Sequence, residues 1–225
     1  MMEKEIFKVS QTTPFHVPVE LTFNEDGLDL ARRSILNLSS LPAISDLRLT
    51  FERKLPPKHQ WMFMGGDLIV VHASQFETIR ERIIDHIEYV ELEPWIVAGK
   101  LEMRPTEADA RYVGFCVTRT VDCFDAEKSV WAQKASRWSE KEYYLGVSNI
   151  VLKEINALPP LFKIQDMAAS QHYAPKAFAE ELVELSRGTV TIESVEDFSR
   201  RRTRYKEEDR SRAERAAAAN PPTKH

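Results

Sequence analysis

Glycine is scarce in this chain. Only seven of its 225 residues are glycine, and no GxGxxG or GxxxxGK[ST] run occurs. That excludes the glycine-rich loops that cradle the phosphates of nucleotides and dinucleotides. Cysteine is scarcer: Cys116 and Cys123 are the two, seven apart, and form no CxxC pair. The six histidines (His16, His59, His72, His86, His172 and His225) are scattered, with no HxH or HxxxH spacing. The sequence therefore offers no metal-ligand constellation and implies no metal and no cofactor. No apolar run reaches 18 residues, so no membrane-spanning helix is expected. The first 30 residues hold Lys4, Lys8 and several acids but no long apolar run, so no signal peptide is expected. Two cysteines without an export signal read as buried thiols in a reducing compartment.

The residues present are those of a globular protein. Hydrophobic residues make up 43% and charged residues 29%, a normal balance for a soluble domain. A chain of this length buries most of its apolar surface without disulfides or metals. Its charge is unevenly placed. Residues 194–225 hold nine Lys or Arg and six Asp or Glu, a net +3, so the rest carries −4 − 3 = −7. An acidic body with a mildly basic tail lacks the clustered basic face of a nucleic-acid-binding domain. It is compatible with a basic partner.

The pattern along the chain reads as α+β. Short strands are expected in "IFKVS", "FHVPVELTF" and "DLRLTFERK", and "PPKHQ" reads as a loop. "GGDLIVVHAS" is a Gly-Gly turn followed by an apolar run. "SQFETIRERIIDHI" reads as a helix capped by Ser74, with Glu77 completing a capping box and Phe76, Ile79, Ile83 and Ile87 as its stripe, widened by Ile84. "EYVELEP" alternates Tyr89 and Glu91 against Val90 and Leu92, as a strand does. "RYVGFCVTRTVDCF" is a long strand candidate broken near Thr118–Thr120. "YYLGVSNIVLKEI" offers one strand or two, and "PPLFKIQD" a short one. "APKAFAEELVELSRG" is a second helix, with Pro175 in its first turn, Phe178, Leu182 and Leu185 as its stripe and Gly188 at its end. "TVTIE" is a last strand. From Ser194 the Arg-, Glu- and Ala-rich tail is helical by propensity, with pairs such as Glu208 and Arg212, anchors at Val195, Phe198 and Tyr205, and a stop at "NPPTKH". The expected architecture is a mostly antiparallel or mixed sheet, two main packed helices and a charged C-terminal helix. Residues 1–193 form one domain and 194–225 a helical tail.

Chemistry concentrates in "RYVGFCVTRTVDCFDAEKSVW". Asp122, Asp125 and Glu127 carry carboxylates suited to a cation or to acid–base work. Asp122 and Asp125 share no face of an extended strand, so they converge only if the backbone turns. A turn explains the segment more simply. Asp125 accepts backbone N–H groups at its head, Ser129 does so at its end, and Phe124 and Trp131 are buried on either side. Cys123 as a nucleophile needs a base such as His86 or His172 and a lowered pKa. His86 reads as a cap near a helix end. In the tail, "RRRTRYK" offers phosphate contacts, but "EEDR" follows and cancels much of the field. Of the tryptophans Trp61, Trp95, Trp131 and Trp138, the last lies in the polar run "SRWSEK". Its charged, aromatic surroundings suit a recognition surface.

Three blocks resemble the immunity-protein family of bacterial polymorphic toxin systems founded on a myxobacterial immunity protein. They are "DLIVVHASQFETIRERIIDHIEYVELEP", "YVGFCVTRTVDCFDAEKSVW" and "LPPLFKIQDMAASQHYAPKAFAEEL". The second matches the family's apolar strand and Asp-x-x-Asp-x-x-x-Ser signature at Asp122, Asp125 and Ser129. The likeness covers about residues 60 to 192 and is strongest there. The chain departs from it after the third block, where the family continues with a Gly-containing strand and this chain has "SRGTVTIE". The Arg-rich tail lies outside it. The resemblance implies a small, non-enzymatic cytoplasmic protein that binds and neutralises a toxin encoded by the adjacent gene. The acidic body complements a cationic toxin such as a nuclease. Contacts are expected from Asp125, Glu127, Trp131 and Trp138, and from Glu91 and Glu93. The rival readings are a hydrolase built on Asp122, Asp125 or Cys123, and a nucleic-acid-associated regulator using the arm from Arg200 to Arg204.

Overall fold

The apolar run Tyr112–Val117 lies at the middle of the protein. The computed structural model describes residues 5–11, 19–22, 48–63, 68–107, 110–135, 143–167 and 171–219. Strand β9 (Tyr112–Val117) is buried at every position. It lies between β5 (Leu68–His72) and β6 (Ile87–Leu92), antiparallel to both, and β4 (Met62–Phe63) completes this central sheet in the order β4-β5-β9-β6. A strand covered on both faces reads as a continuous apolar run, which is why "YVGFCV" lacks alternation. Gly114 is the one position in it without a side chain. A Cβ there would lie 3.0 Å from Leu92 Cδ1 and 3.2 Å from Leu68 Cδ1. Glycine thus lets the flanking leucines close over the strand.

One design occurs twice. Helix α1 (Ala73–Ile83) carries the chain from β5 across β9 to β6. Helix α2 (Lys176–Leu185) does the same from β14 (His172–Pro175) across β1 (Ile6–Gln11) to β15 (Val190–Ser194). In each unit two strands flank an antiparallel third, and the helix covers one face. The two helices meet: Arg82 pairs with Glu181 and lies over the Phe178 ring. Phe76, Ile79 and Ile83 of α1, Phe178 and Leu182 of α2, and Ile69, Val71, Val113, Phe115, Val9 and Ala174 from the two sheets share one core.

A further sheet covers the other face of the central one, in the order β2 (Val19–Thr22), β3 (Arg48–Glu52), β7 (Pro94–Ala98), β8 (Leu101–Met103). Its β3–β7 pair is parallel and the rest antiparallel. Leu49 and Phe51 pack against Val70, Leu92 and Tyr112. A loop-rich third unit holds β10 (Thr120–Val121) parallel to β13 (Lys163–Ile164), and β11 (Gln133–Ala135) antiparallel to β12 (Tyr143–Leu145). Its core is Cys123, Phe124, Ile150, Phe162 and Ile164. The first turns of α3 (Val195–Ala219) close this core through Val195 and Phe198. The Ser194 hydroxyl accepts the Asp197 N–H at 3.0 Å, and Glu196 and Asp197 lie in the first turn, where the helix dipole favours negative charge. From Arg202 to Arg212 every residue of α3 is exposed. The fold is therefore α+β, with mixed and antiparallel sheets, two packed helices and a charged C-terminal helix.

Several local expectations need correction. The N-cap of α1 is His72, not Ser74: the ring Nδ1 accepts the Ser74 N–H at 3.2 Å and meets the Ser74 hydroxyl at 2.8 Å. The helix ends at Ile83, so Ile84 lies in a 3-10 turn and Ile87 belongs to β6. Pro175 is the cap residue of α2, one place before its first turn. Of the one or two strands expected in "YYLGVSNIVLKEI" one is present, β12, followed by single bridges. Tyr205 is exposed, and its hydroxyl meets Arg201 of the same helix rather than packing into the core. No helix among the described residues is long and apolar enough to cross a membrane.

Candidate recognition site

After β10 the chain turns back against residues 149–153, and a ladder of hydrogen bonds fixes the turn. Lys153 N–H donates to Cys123 O at 2.8 Å, Asp125 N–H to Val151 O at 3.0 Å, and Val130 N–H to Asn149 O at 3.0 Å. Ser129 links both sides: its hydroxyl accepts the Val151 N–H at 2.9 Å and donates to Val151 O at 3.3 Å. Inside the turn, Asp125 Oδ1 accepts the N–H groups of Glu127 at 3.2 Å and Lys128 at 3.1 Å. The expected turn is therefore present, with Asp125 at its head and Ser129 at its end. The backbone N–H of Lys128 is the main reason the Asp125 carboxyl titrates below its ordinary range. Partial desolvation opposes this, and the Lys128 ammonium, 3.2 Å from Asp125 Oδ2, reinforces it.

Trp131 departs from expectation. Phe124 is buried, but Trp131 remains 37% exposed and its neighbour Val130 54% exposed. The indole is nonetheless held in place. Its Nε1–H donates to Ala126 O at 3.1 Å, and its ring lies edge-on to Tyr144 at 5.0 Å. Tyr144 in turn packs on Phe124, also at 5.0 Å, so the exposed tryptophan is backed by the core of this unit. Gly146, at φ +64°, lies 2.8 Å from Ala132 Cβ by the position its own Cβ would take. No other residue fits there without displacing the strand beside Trp131.

Glu127 is exposed on the same turn as Asp125 and Trp131, and the remaining candidates lie elsewhere. Glu91 is exposed on β6, and Glu93, just beyond it, pairs with Arg104 at 3.1 Å. Those two glutamates belong to the junction of the central and covering sheets, a different packed unit from the turn. Trp138 is outside the described residues. Asp122 points to solvent and pairs with Lys153 at 2.8 Å. Cys123 is fully buried, and burial, with the Asp122 charge second, pushes its thiol up to about 12. At neutral pH it is a protonated core residue, without the thiolate a nucleophile needs. Among the described residues no three His, Cys, Asp or Glu side chains gather where they would hold a metal ion. Sequence reasoning passed over Val130 and Tyr144. Nothing in a lone valine after a polar turn marks it as exposed, and Tyr144 reaches the site only through tertiary packing.

The site is thus a rigid turn with an apolar tip, Val130 and Trp131, among the exposed side chains of Glu127, Lys128 and Lys134. Aromatic area held in place in this way would lose little conformational entropy on being covered. No protein-family model matches the chain, and no curated protein is significantly similar to it.

Proposed function

We propose that this protein is an immunity protein, which binds a toxin protein encoded beside it and occludes the toxin's active site in the cytoplasm. The observation that carries this reading is the pinned, solvent-facing pair Val130–Trp131. It lies within the segment that resembles the immunity family, where Asp125 and Ser129 of the matched signature shape the turn. The roles divide accordingly: Asp125 and Ser129 set the backbone, Val130 and Trp131 supply the apolar centre, and Glu127 lies at the rim. Carboxylates at the rim act mainly on the association rate and on partner choice. The body, at −7 outside the tail, favours a cationic toxin surface such as that of a nuclease.

Growth rescue tests this. Cells expressing the product of the adjacent gene are expected to stop growing, and co-expression of this chain to restore growth. The double variant Val130→Asp, Trp131→Ala is expected to fold, with a melting temperature lowered by the lost Trp131 contacts to Ala126 and Tyr144 but still well above the growth temperature, and to lose the rescue. Rescue undiminished in that variant would place the interface elsewhere, and a neighbour that is harmless alone would remove the immunity reading.

A further inference from the structure

A second feature lies away from the turn, on the outer face of the β14-β1-β15 sheet. Lys8 Nζ stands 4.5 Å from the centroid of the Phe198 ring, and the guanidinium carbons of Arg201 and Arg202 stand 5.5 Å from the same point. Lys8 comes from β1 and the arginines from α3, so packing of the helix on the sheet brings them together. The carboxylate that meets them is Glu193, the cross-strand neighbour of Lys8, which holds Arg201 through both oxygens at 2.7 and 2.6 Å. Among the described residues neither Lys8 nor Arg202 closes an ion pair. Three cations and one carboxylate leave 3 − 1 = 2 positive charges around one ring.

We propose that Lys8, Arg201 and Arg202 form a binding site for a phosphate dianion, either free phosphate or a small phosphate monoester. The charge of the ligand matches the excess. The Arg202 guanidinium fork matches the oxygens of phosphate in geometry, the Lys8 ammonium adds a point charge, and Arg201, whose Nε and one terminal nitrogen already hold Glu193, adds its other terminal nitrogen. The Lys8 ammonium titrates below its ordinary value: half-burial is the largest cause, Glu193 opposes it, and repulsion from Arg201 and Arg202 adds to it. A dianion placed among the three relieves that repulsion. One register step along the same face, Ser10 Oγ lies 3.4 Å from Thr191 Oγ1, which donates its own proton to Ser10 O at 3.3 Å, so the Ser10 hydroxyl is the donor left to offer. The site is compact. Beyond it Arg200 pairs with Glu196 and Asp197, Arg204 with Glu208 and Arg210 with Glu214, and Glu207 and Asp209 stand between them, so charges of both signs interleave along α3 instead of forming the continuous basic row that follows an extended nucleic-acid backbone.

Titration of the full chain with inorganic phosphate, at constant ionic strength maintained with potassium chloride, tests the site by NMR of its lysine and arginine side chains. Saturable shifts at Lys8, Arg201 and Arg202 are expected, with the Lys8 pKa rising on binding. Lys8→Gln and Arg202→Gln are each expected to weaken binding about tenfold, and Arg200→Gln to leave it unchanged. A parallel titration with glycerol 3-phosphate identifies the source: tighter binding of either ligand supports the site and assigns it to the free ion or to the monoester. Shifts that never saturate, or that persist in Lys8→Gln and Arg202→Gln, would overturn it. So would duplex DNA that binds more tightly than phosphate and is lost in the same two variants.

Discussion

Asp125 acts through its acceptor oxygens. Its carboxylate receives two backbone N–H groups and holds the turn that carries Val130 and Trp131. Its pKa is depressed in the folded protein. The stability it contributes is therefore fully present above the ordinary carboxylate range and is lost as pH falls through the folded value. Asp125→Ala is expected to lower the melting temperature at pH 7, with the gap to the unaltered protein closing as the solution is acidified towards pH 3. A gap that stays constant with pH would mean that the carboxylate's charge is irrelevant to the turn. Cys123 acts through its bulk. With its thiol pushed up to about 12 and its side chain wholly buried, as is that of Cys116, neither cysteine is expected to react with a maleimide or an aromatic disulfide in the native state at pH 8. Both should react once the chain is unfolded. Rapid native labelling of Cys123 would reopen the nucleophile reading.

Elements owe their form to neighbours as much as to their own residues. Strand β9 closes the central sheet because Gly114 leaves room for Leu68 and Leu92. Gly114→Val is expected to cost about 1–3 kcal/mol through overpacking, seen as a fall in melting temperature of about 2–4 °C for each kcal/mol. An unchanged melting temperature would mean that the leucines relax freely. The two helices were legible in the sequence because Phe76, Ile79 and Ile83, and then Phe178 and Leu182, repeat at helical spacing. Their termini were less so. Ser74 looks like a cap by type, yet the chain enters the helix straight from a strand, so His72 takes the capping place and its ring Nδ1 accepts the N–H that a hydroxyl would otherwise accept. The exposure of Trp131 was not legible either. Whether an indole is covered depends on which loop packs beside it, and residues 149–153 and Tyr144 come from far along the chain.

The whole molecule rests on two strand-helix-strand units set helix to helix, a covering sheet, and a loop unit sealed by the start of α3. Composition and periodicity conveyed the α+β class. The doubling was hidden, because it lies in pairing across long sequence separations, such as β1 with β14 and β15. The start of α3 belongs to the body: Ser199 Oγ accepts the Ile150 N–H at 2.8 Å, and Phe198 is 2% exposed. Phe198→Ala is expected to cost about 3–5 kcal/mol in a urea unfolding curve. Truncation after Lys206 is expected to shift stability by no more than about 0.5 kcal/mol, since every residue from Glu207 to Arg212 is exposed. The reverse order of effects would show that the helix is held by its charged end. The recognition reading is tested most directly by a sizing column loaded with this chain and the product of the adjacent gene. Co-elution of the two, abolished by Val130→Asp with Trp131→Ala, is the expected result. Separate elution of the unaltered proteins, or co-elution that survives the double substitution, would contradict the assignment of the Asp125–Trp131 turn as the toxin-binding surface.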